Sequence, residues 1–318
     1  MSYRGDSYVA RVSAMLIVVS VIAAVDPARV PLLACKQCWA ANNESPLSVW
    51  AGIPPVAYLV ERLGGEHVAV EVLVRPDRDP HTFEPTPRQM LALSRAKLFV
   101  KIGLPIEERL LEMLQGQQRG LIVVDAARGI SRRTLACVGC GHGHDSHHHH
   151  DGHDDHAVDD LHVWLSPPLL KIQAANVAKA LERADPQHTD LYRTNLAALL
   201  EEIDAIHARI ARAMQPCRGQ TFYVFHSAFG YFGDAYGLKQ ASVQIADRPP
   251  TLRQLRRLIK QAKSDGVKII FVQPQFDRHR AETIARLIGG AVMPIDPLVG
   301  DVLGNLDDMA TEIRKALR

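Results

Sequence analysis

The sequence predicts an α/β protein of two lobes, each built on a parallel sheet, joined by one long helix. Strand patterns alternate with helical patterns both before residue 185 and after residue 215, as in βαβ units. Between them, apolar residues recur at steps of three and four from Tyr192 to Met214. At 1.5 Å per residue, this stretch predicts a helix about 40 Å long.

In the first half of the chain, apolar strand patterns alternate with helical patterns up to the histidine-rich segment. The first helix ends at Gly64-Gly65, because glycine is the usual residue just beyond a helix. The predicted strands are 48–53, 68–74, 97–102 and 121–124, and the predicted helices are 55–63, 88–94 and 106–114.

The second half repeats this alternation after a helix predicted over 167–183. Asp185-Pro186 predicts the start of the long helix, with aspartate as N-cap and proline at the first helical position. The strands that follow are predicted at 221–225, 241–245, 268–272 and 291–295, and the helices at 228–236, 251–263, 280–287 and 306–317. The predicted division is a signal peptide (1–25), a loose segment (26–47), an N-terminal lobe (48–184), a connecting helix (185–215) and a C-terminal lobe (216–318).

Composition excludes few classes of function. The 318 residues are 47% hydrophobic and 23% charged, which is ordinary for a globular protein. The formal net charge of +2 gives no argument for a nucleic-acid partner.

The N-terminus predicts export. A basic leader with Arg4 and Arg11 precedes the apolar core Ala14–Val25. This core is too short for a membrane span of about 20 residues. Cleavage is expected near Ala23. An alternative is a lipid anchor at Cys35, where Leu32-Leu33-Ala34-Cys35 is similar to a bacterial lipobox. No later segment is apolar enough to span a membrane, so the mature protein is expected to be soluble or tethered at one end.

The cysteines allow two interpretations. Cys35 and Cys38 form one CxxC pair, Cys137 and Cys140 form another, and Cys217 stands alone. In an exported protein, disulfides within or between the pairs are the simpler expectation, although Cys137 and Cys140 could also contribute thiolates to a metal.

A segment rich in histidine and aspartate lies at 141–160. Imidazole suits zinc, copper and nickel, and so polar a segment is expected to be a mobile loop that captures metal. The alternative is a low-complexity insertion without consequence. Its histidines are His142, His144, His147, His148, His149, His150, His153 and His156.

Four isolated residues are the candidates for a tighter site. His226 and Asp296 each follow a predicted strand directly, His81 lies in the loop beyond the strand 68–74, and His162 follows the histidine-rich segment. Ligands of open parallel sheets bind outside the carboxyl ends of the strands, and four nitrogen and oxygen ligands suit tetrahedral zinc. We therefore expect the two lobes to hold one metal between them. A surface or core role is expected for the other isolated histidines, His67, His188, His207 and His279.

Five segments together resemble the metal-binding receptors of bacterial ABC importers (the cluster A-I family), and in particular their zinc-specific members. They are 79–87, 160–167, 225–232, 271–276 and 296–298, in the family's order. The resemblance implies two Rossmann-like lobes, a rigid connecting helix and a metal in the cleft between the lobes. It also implies that His81, His162 and His226 are ligands and that Asp296 is a fourth, sometimes looser one.

Two details carried by this resemblance bear on the metal. Manganese-specific relatives have glutamate where His226 stands, which fits the preference of manganese for oxygen. Leu161 and Ser227 depart from the usual proline and aspartate of the family, which puts the surroundings of the ligands in doubt but removes no ligand.

The expected function is therefore a periplasmic receptor that captures Zn²⁺ as its transported ligand and delivers it to an ABC permease. It is expected to be a monomer and not an enzyme. Rival interpretations are a metal buffer without a transporter, a receptor for manganese, nickel or cobalt, and a zinc-dependent hydrolase. The sequence lacks the His-Glu-x-x-His and Gly-x-Ser-x-Gly motifs that would favour a hydrolase.

Overall fold

Two four-stranded parallel sheets organise the described part of the chain. The computed structural model describes residues 45–114, 120–135, 158–244 and 249–318. The first sheet has the order β2-β1-β3-β4 and the second the order β6-β5-β7-β8, with parallel pairing throughout. The strands are β1 (Leu47–Ala51), β2 (Val68–Val72), β3 (Leu98–Lys101), β4 (Ile122–Asp125), β5 (Thr221–His226), β6 (Lys239–Gln244), β7 (Ile269–Val272) and β8 (Ala291–Pro294).

Helices connect the strands and cover the sheets. They are α1 (Pro54–Gly64), α2 (Pro87–Leu93), α3 (Pro105–Leu114), α4 (Pro167–Ala184), α5 (Thr189–Met214), α6 (Gly230–Tyr236), α7 (Leu252–Ser264), α8 (Arg278–Ile288) and α9 (Val302–Ala316). We call the first sheet with α1–α4 the first lobe, and the second sheet with α6–α9 the second lobe. The predicted fold class, two α/β lobes with parallel sheets and one long helix between them, is confirmed.

The long helix α5 has 26 residues and begins three residues later than its predicted N-cap implies. Pro186–His188 form a 3-10 turn instead, and the Asp185 side chain makes no capping bond to a backbone N–H. Its Oδ2 accepts from the Tyr192 hydroxyl at 2.5 Å and lies 2.6 Å from Nδ1 of His188. The side chains of Tyr192 and His188 thus engage Asp185, and the α-helix starts after the 3-10 turn.

The closing helix α9 begins at Val302 and not at Leu306 as predicted. The Asp301 side chain accepts a hydrogen bond from the backbone N–H of Gly304 at 3.1 Å, which caps an additional first turn. The apolar pattern alone indicated only the later turns, because this first turn includes a glycine.

One hydrophobic core extends from the first lobe, across α5, to one face of the second sheet. On β5, Phe222 and Val224 point into this core, whereas Tyr223 and Phe225 point into a smaller core beneath α7 and α8. The alternation follows from the two-residue period of a strand. Among the described residues, no helix combines the length and apolarity needed to cross a bilayer.

Candidate metal centre

Three histidines from separate parts of the chain meet between the lobes. His81 follows β2 in the first lobe, His162 directly precedes the 3-10 turn Val163–Leu165, and His226 is the last residue of β5. Their ring centroids are 6.1 Å (His81–His162), 5.2 Å (His81–His226) and 5.5 Å (His162–His226) apart. One nitrogen from each ring lies within 4.8 Å of the other two. These distances allow one cation to contact all three imidazoles.

The two histidines of the first lobe are presented by the same local turn. The backbone N–H of His81 donates to Oδ1 of Asp79, and that of His162 donates to Oδ1 of Asp160, both at 3.0 Å. An aspartate that accepts from the backbone two residues onward forms an Asx turn, which fixes the direction of the chain without regular secondary structure. Each histidine therefore extends from a short loop with a defined conformation.

Asp160 also sets the chemistry of the His162 ring. Its Oδ1 lies 2.8 Å from Nδ1 of His162, and its carboxylate is fully buried. Because an ionised carboxylate only accepts, this contact places the proton of a neutral ring on Nδ1 and leaves the Nε2 lone pair available. Such carboxylate–histidine pairs orient metal-ligating rings and raise their basicity.

Phe276 and Gln273 both contact His226 at the wall of the cavity. The ring of Phe276 stacks on the imidazole of His226 with centroids 4.7 Å apart. Gln273 donates from Nε2 to the carbonyl of His226 at 3.1 Å, and its buried Oε1 has no hydrogen-bond partner among the described residues. This leaves one acceptor oxygen at the wall of the centre.

The three histidines line a cavity of about 20 Å³, which is room for one water or one ion. Its remaining walls come from both lobes and are mostly apolar, including Leu104, Leu161, Trp164, Phe276, Pro297 and Leu298. A small, mostly apolar cavity with three convergent nitrogens favours a single ion over an organic ligand.

Asp296 is not in the group of three. Its Oδ1 accepts from the Gln275 amide at 3.0 Å and from the backbone N–H of Leu298 at 2.9 Å. The structure thus shows the Asp296 carboxylate engaged with its own lobe, and its role as a fourth ligand stays a prediction.

Two hydrogen bonds cross between the lobes beside the centre. The indole N–H of Trp164 donates to the carbonyl of Pro297 at 2.7 Å. The Gln275 amide donates to the carbonyl of Pro76 at 2.8 Å. The centre therefore lies where the lobes are in direct contact, as expected for a cleft site.

Sequence reasoning did not single out Asp160, Gln275 and Phe276 as parts of the site. The signal for Asp160 was available, because it stands two residues before His162 just as Asp79 stands before His81. No local signal marks Gln275 and Phe276, which reach the centre only through the packing of the loop after β7.

Several features predicted from the sequence lie outside the described residues. They are the signal peptide, the histidine-rich segment from His142 to His156, and the cysteines at 35, 38, 137 and 140. Cys217 is a free, buried thiol in the core. His67 stacks on His188 with centroids 3.8 Å apart, away from the three histidines of the centre.

Comparison with known proteins gives a family. A model of the family described as "ZnuA: Zinc-uptake complex component A periplasmic" matches residues 49–316. A crystal structure of ZnuA is 35% identical, with a TM-score of 0.76, and covers 86% of this chain and 100% of its own. A ZnuA deletion mutant with zinc bound is also 35% identical, with a TM-score of 0.75, 85% of this chain and 98% of its own.

A longer relative is the zinc-binding protein AdcA of Streptococcus pyogenes serotype M3, which is 26% identical over 259 residues. The match covers 77% of this chain but only 49% of AdcA, so the chain spans about half of that protein. The family model spans most of the chain, including every residue of the centre. The chain belongs to the ZnuA family of periplasmic components of zinc-uptake complexes.

Proposed function

We propose that this protein is an extracytoplasmic receptor that captures Zn²⁺ and delivers it to an ABC-type permease in the membrane. The observation that carries the proposal is the convergence of His81, His162 and His226, from both lobes, on one small cavity. Two of its relatives, a zinc-binding protein and a ZnuA mutant with zinc bound, agree with this choice of ligand.

Zinc is the metal that this donor set favours. Neutral imidazoles suit zinc, copper and nickel, whereas manganese and magnesium prefer oxygen. Three protein nitrogens leave one position of a tetrahedral ion for an oxygen, which Asp296 supplies after a local rearrangement or which a water held by Gln273 supplies. Asp296 is our proposed fourth ligand, because it follows β8 at the same edge of the second sheet.

Transport requires release as well as capture. Each lobe alone offers an incomplete ligand set, two imidazoles from the first lobe and one from the second. Separation of the lobes would therefore weaken binding without any chemical step. In this proposal the protein works as a monomeric carrier without catalysis, and the permease supplies the force that separates the lobes.

The test is a zinc titration in competition with a chromophoric chelator, on the wild type and on single alanine variants. His81→Ala, His162→Ala and His226→Ala should each weaken the tightest zinc site by 100-fold or more, because each removes one inner-sphere bond. His279→Ala is the matched control, since that histidine is exposed on α8. Unchanged tight binding in all three variants would contradict the proposed site.

A rival function is a buffer that only stores metal. Uptake of labelled zinc by cells that contain the permease but lack this receptor separates the two proposals. The receptor should restore uptake at low zinc, and the His226→Ala variant should not. Tight zinc binding without restored uptake would favour the buffer.

A further inference from the structure

Arg133 lies where the two lobes meet, next to the metal centre but outside it. It belongs to the segment after β4, whose backbone is held by a hydrogen bond from Asp160 N to the Arg133 carbonyl at 2.8 Å. Its guanidinium extends towards α6 of the second lobe. The roles assigned so far to the centre leave this cation unexplained.

On the first-lobe side, Arg133 is the ion-pair partner of Asp160. The two Asp160 oxygens have different partners, with Oδ1 on the His162 ring and Oδ2 at 3.6 Å from an Nη atom of Arg133. The Asp160 side chain is fully buried. Removing a carboxylate from water is costly, and an ion pair with good geometry offsets part of that cost.

On the second-lobe side, Arg133 is held by α6. Its Nε lies 3.2 Å from Oδ2 of Asp234, and its guanidinium lies 5.8 Å from the centroid of the Tyr231 ring. The Tyr231 hydroxyl accepts from the backbone N–H of Arg133 and donates to the carbonyl of Asp160, both at 2.9 Å. Residues of α6 in the second lobe thus contact both partners of the Arg133–Asp160 pair.

Gly230, the first residue of α6, provides the space for this arrangement. A Cβ at this position would lie 1.2 Å from Nη1 of Arg133 and 3.0 Å from Oδ2 of Asp160. Any side chain at residue 230 would therefore force the guanidinium out of place. The glycine is not needed for backbone conformation, since it is absent from the glycines with positive φ.

We propose that Arg133 is a positioning residue that couples α6 of the second lobe to the orientation of His162. Contact between the lobes seats the guanidinium between Asp234 and Asp160, and the seated guanidinium holds Asp160 in the orientation that keeps His162 aimed at the metal. When α6 moves away, Asp160 loses this support and the first lobe binds metal less well. The inference rests on the proposed function, because it concerns the affinity of the same site.

The experiment is a double-mutant cycle with Arg133→Gln and Gly230→Ala on the full chain, read by zinc competition titration. Each single variant should weaken the tight site about tenfold, in the range typical of groups that hold metal ligands in place. Gly230→Ala keeps the arginine but displaces its guanidinium, and its Cβ also lies 3.0 Å from Oδ2 of Asp160. In the Arg133→Gln background, most of its effect should therefore be lost. Arg133→Lys should restore part of the affinity, because it keeps the charge.

One further readout and one control variant separate positioning from a general loss of stability. Nitrogen NMR of the metal-free protein should show the Nδ1–H form of His162 in the wild type and a mixture of forms in Arg133→Gln. The matched control is Arg209→Gln, which removes an exposed ion pair (3.1 Å) between α5 and α9. It should change neither zinc affinity nor the His162 signal.

Independent effects of Gly230→Ala and Arg133→Gln would overturn the inference, as would an Arg133→Gln variant with wild-type zinc affinity. His81→Ala, measured in parallel, separates this failure from failure of the proposed function. If His81→Ala abolishes the tight site while Arg133→Gln does not, only the coupling is wrong. If His81→Ala also leaves the site intact, the proposed site itself is wrong.

Discussion

At the scale of single residues, the centre combines two histidines presented by loops with one presented by a strand. His81 and His162 leave Asx turns, whereas His226 is part of a hydrogen-bonded strand and is 2% exposed. The strand position fixes the direction of the His226 side chain most firmly. It is therefore the position at which a change of ligand type should alter metal preference with the least disturbance elsewhere.

His226→Glu should weaken zinc binding and raise the affinity for manganese relative to zinc, since it replaces a nitrogen donor with oxygen. Zinc should still bind more tightly in absolute terms, as the Irving–Williams order requires. Competitive titration of both metals on the wild type and the variant measures this. Unchanged zinc affinity would show that His226 is not a ligand.

Glu107 is a buried carboxylate that belongs to the first lobe alone. It accepts hydrogen bonds from the backbone N–H groups of Ile102, Gly103 and Leu104 at 3.0, 2.7 and 2.7 Å. Burial nevertheless raises the pKa of Glu107 from 4.5 to about 7, although the backbone donors favour the charged form. Gly52 makes room for it, since a Cβ there would lie 1.7 Å from Oε1 of Glu107.

This raised pKa predicts a pH dependence of stability. Because the folded state binds the proton more tightly than the unfolded state, the contribution of Glu107 is fully present below pH 4.5 and is lost as pH rises through 7. At about 1.4 kcal/mol per pKa unit, the loss is about 3 kcal/mol. Urea unfolding of the wild type and Glu107→Gln between pH 4 and 8 measures it. The free energy difference between the two proteins should change across this window, and a constant difference would contradict the raised pKa.

Residues also show how far the sequence could predict the site. His81, His162 and His226 were identified because each stands in a recognisable segment, and the structure brings them together. Arg133 could not be identified, since nothing local distinguishes it from its neighbour Arg132. Its place depends on where α6 packs, which involves residues about 100 positions further along the chain.

At the scale of elements, backbone pairing joins the chain on the two sides of the histidine-rich segment. Thr134 and Asp159 form an antiparallel bridge, and Leu135 N donates to the carbonyl of Val158 at 2.8 Å. Both sides of the insertion are thus joined before the chain reaches His162. We therefore expect the metal centre to depend on this bridge and not on the residues between its two sides.

Deletion of Gly141–Asp155 should accordingly leave one tight zinc site and remove weaker additional ones. The three histidines of the centre lie outside the deletion, and the backbone bonds at its base remain. Calorimetric zinc titration of both forms provides the measurement, with His81→Ala in the deleted form as the control without a tight site. Loss of tight binding on deletion alone would show that the segment supplies a ligand to the centre.

The elements themselves were predictable to within a few residues because local patterns determine them. Apolar patterns located each strand of the described residues, and α7 begins at Leu252, one residue after its predicted start at Thr251, which is the N-cap in a capping box with Gln254. The larger errors occurred at Asp185 and Leu306, where a 3-10 turn and a capped glycine-containing turn replace a simple helix start. Such ends depend on side-chain hydrogen bonds that periodicity does not reveal.

At the scale of the whole molecule, two sheets with the same strand order contribute unequally to one site. The strands β2-β1-β3-β4 and β6-β5-β7-β8 correspond position by position, yet the centre takes His226 directly from a strand only in the second lobe. In the first lobe, the residue just after β1 is Gly52, and the carboxylate of Glu107 fills the adjacent space. The shared topology therefore does not produce a symmetric site.

Because the proposed ligands come from both lobes, zinc should stabilise the molecule as a unit. At free zinc 100 times the dissociation constant, binding only to the folded state contributes about 2.7 kcal/mol. Thermal unfolding with and without zinc should show a raised midpoint for the wild type, and the rise should shrink in both His81→Ala and His226→Ala. A shift that persists in full in either variant would mean that one lobe binds the metal without the other.

The bridge between Thr134 and Asp159 has a consequence for protein engineering. Because backbone pairing joins Thr134 to Asp159, we expect foreign sequence placed between them to be tolerated, as insertions at joined chain ends often are. A fluorescent domain placed there would be anchored three residues from His162. The protein therefore offers a ready framework for a genetically encoded zinc indicator, in which the recognition module and the reporter share one attachment point.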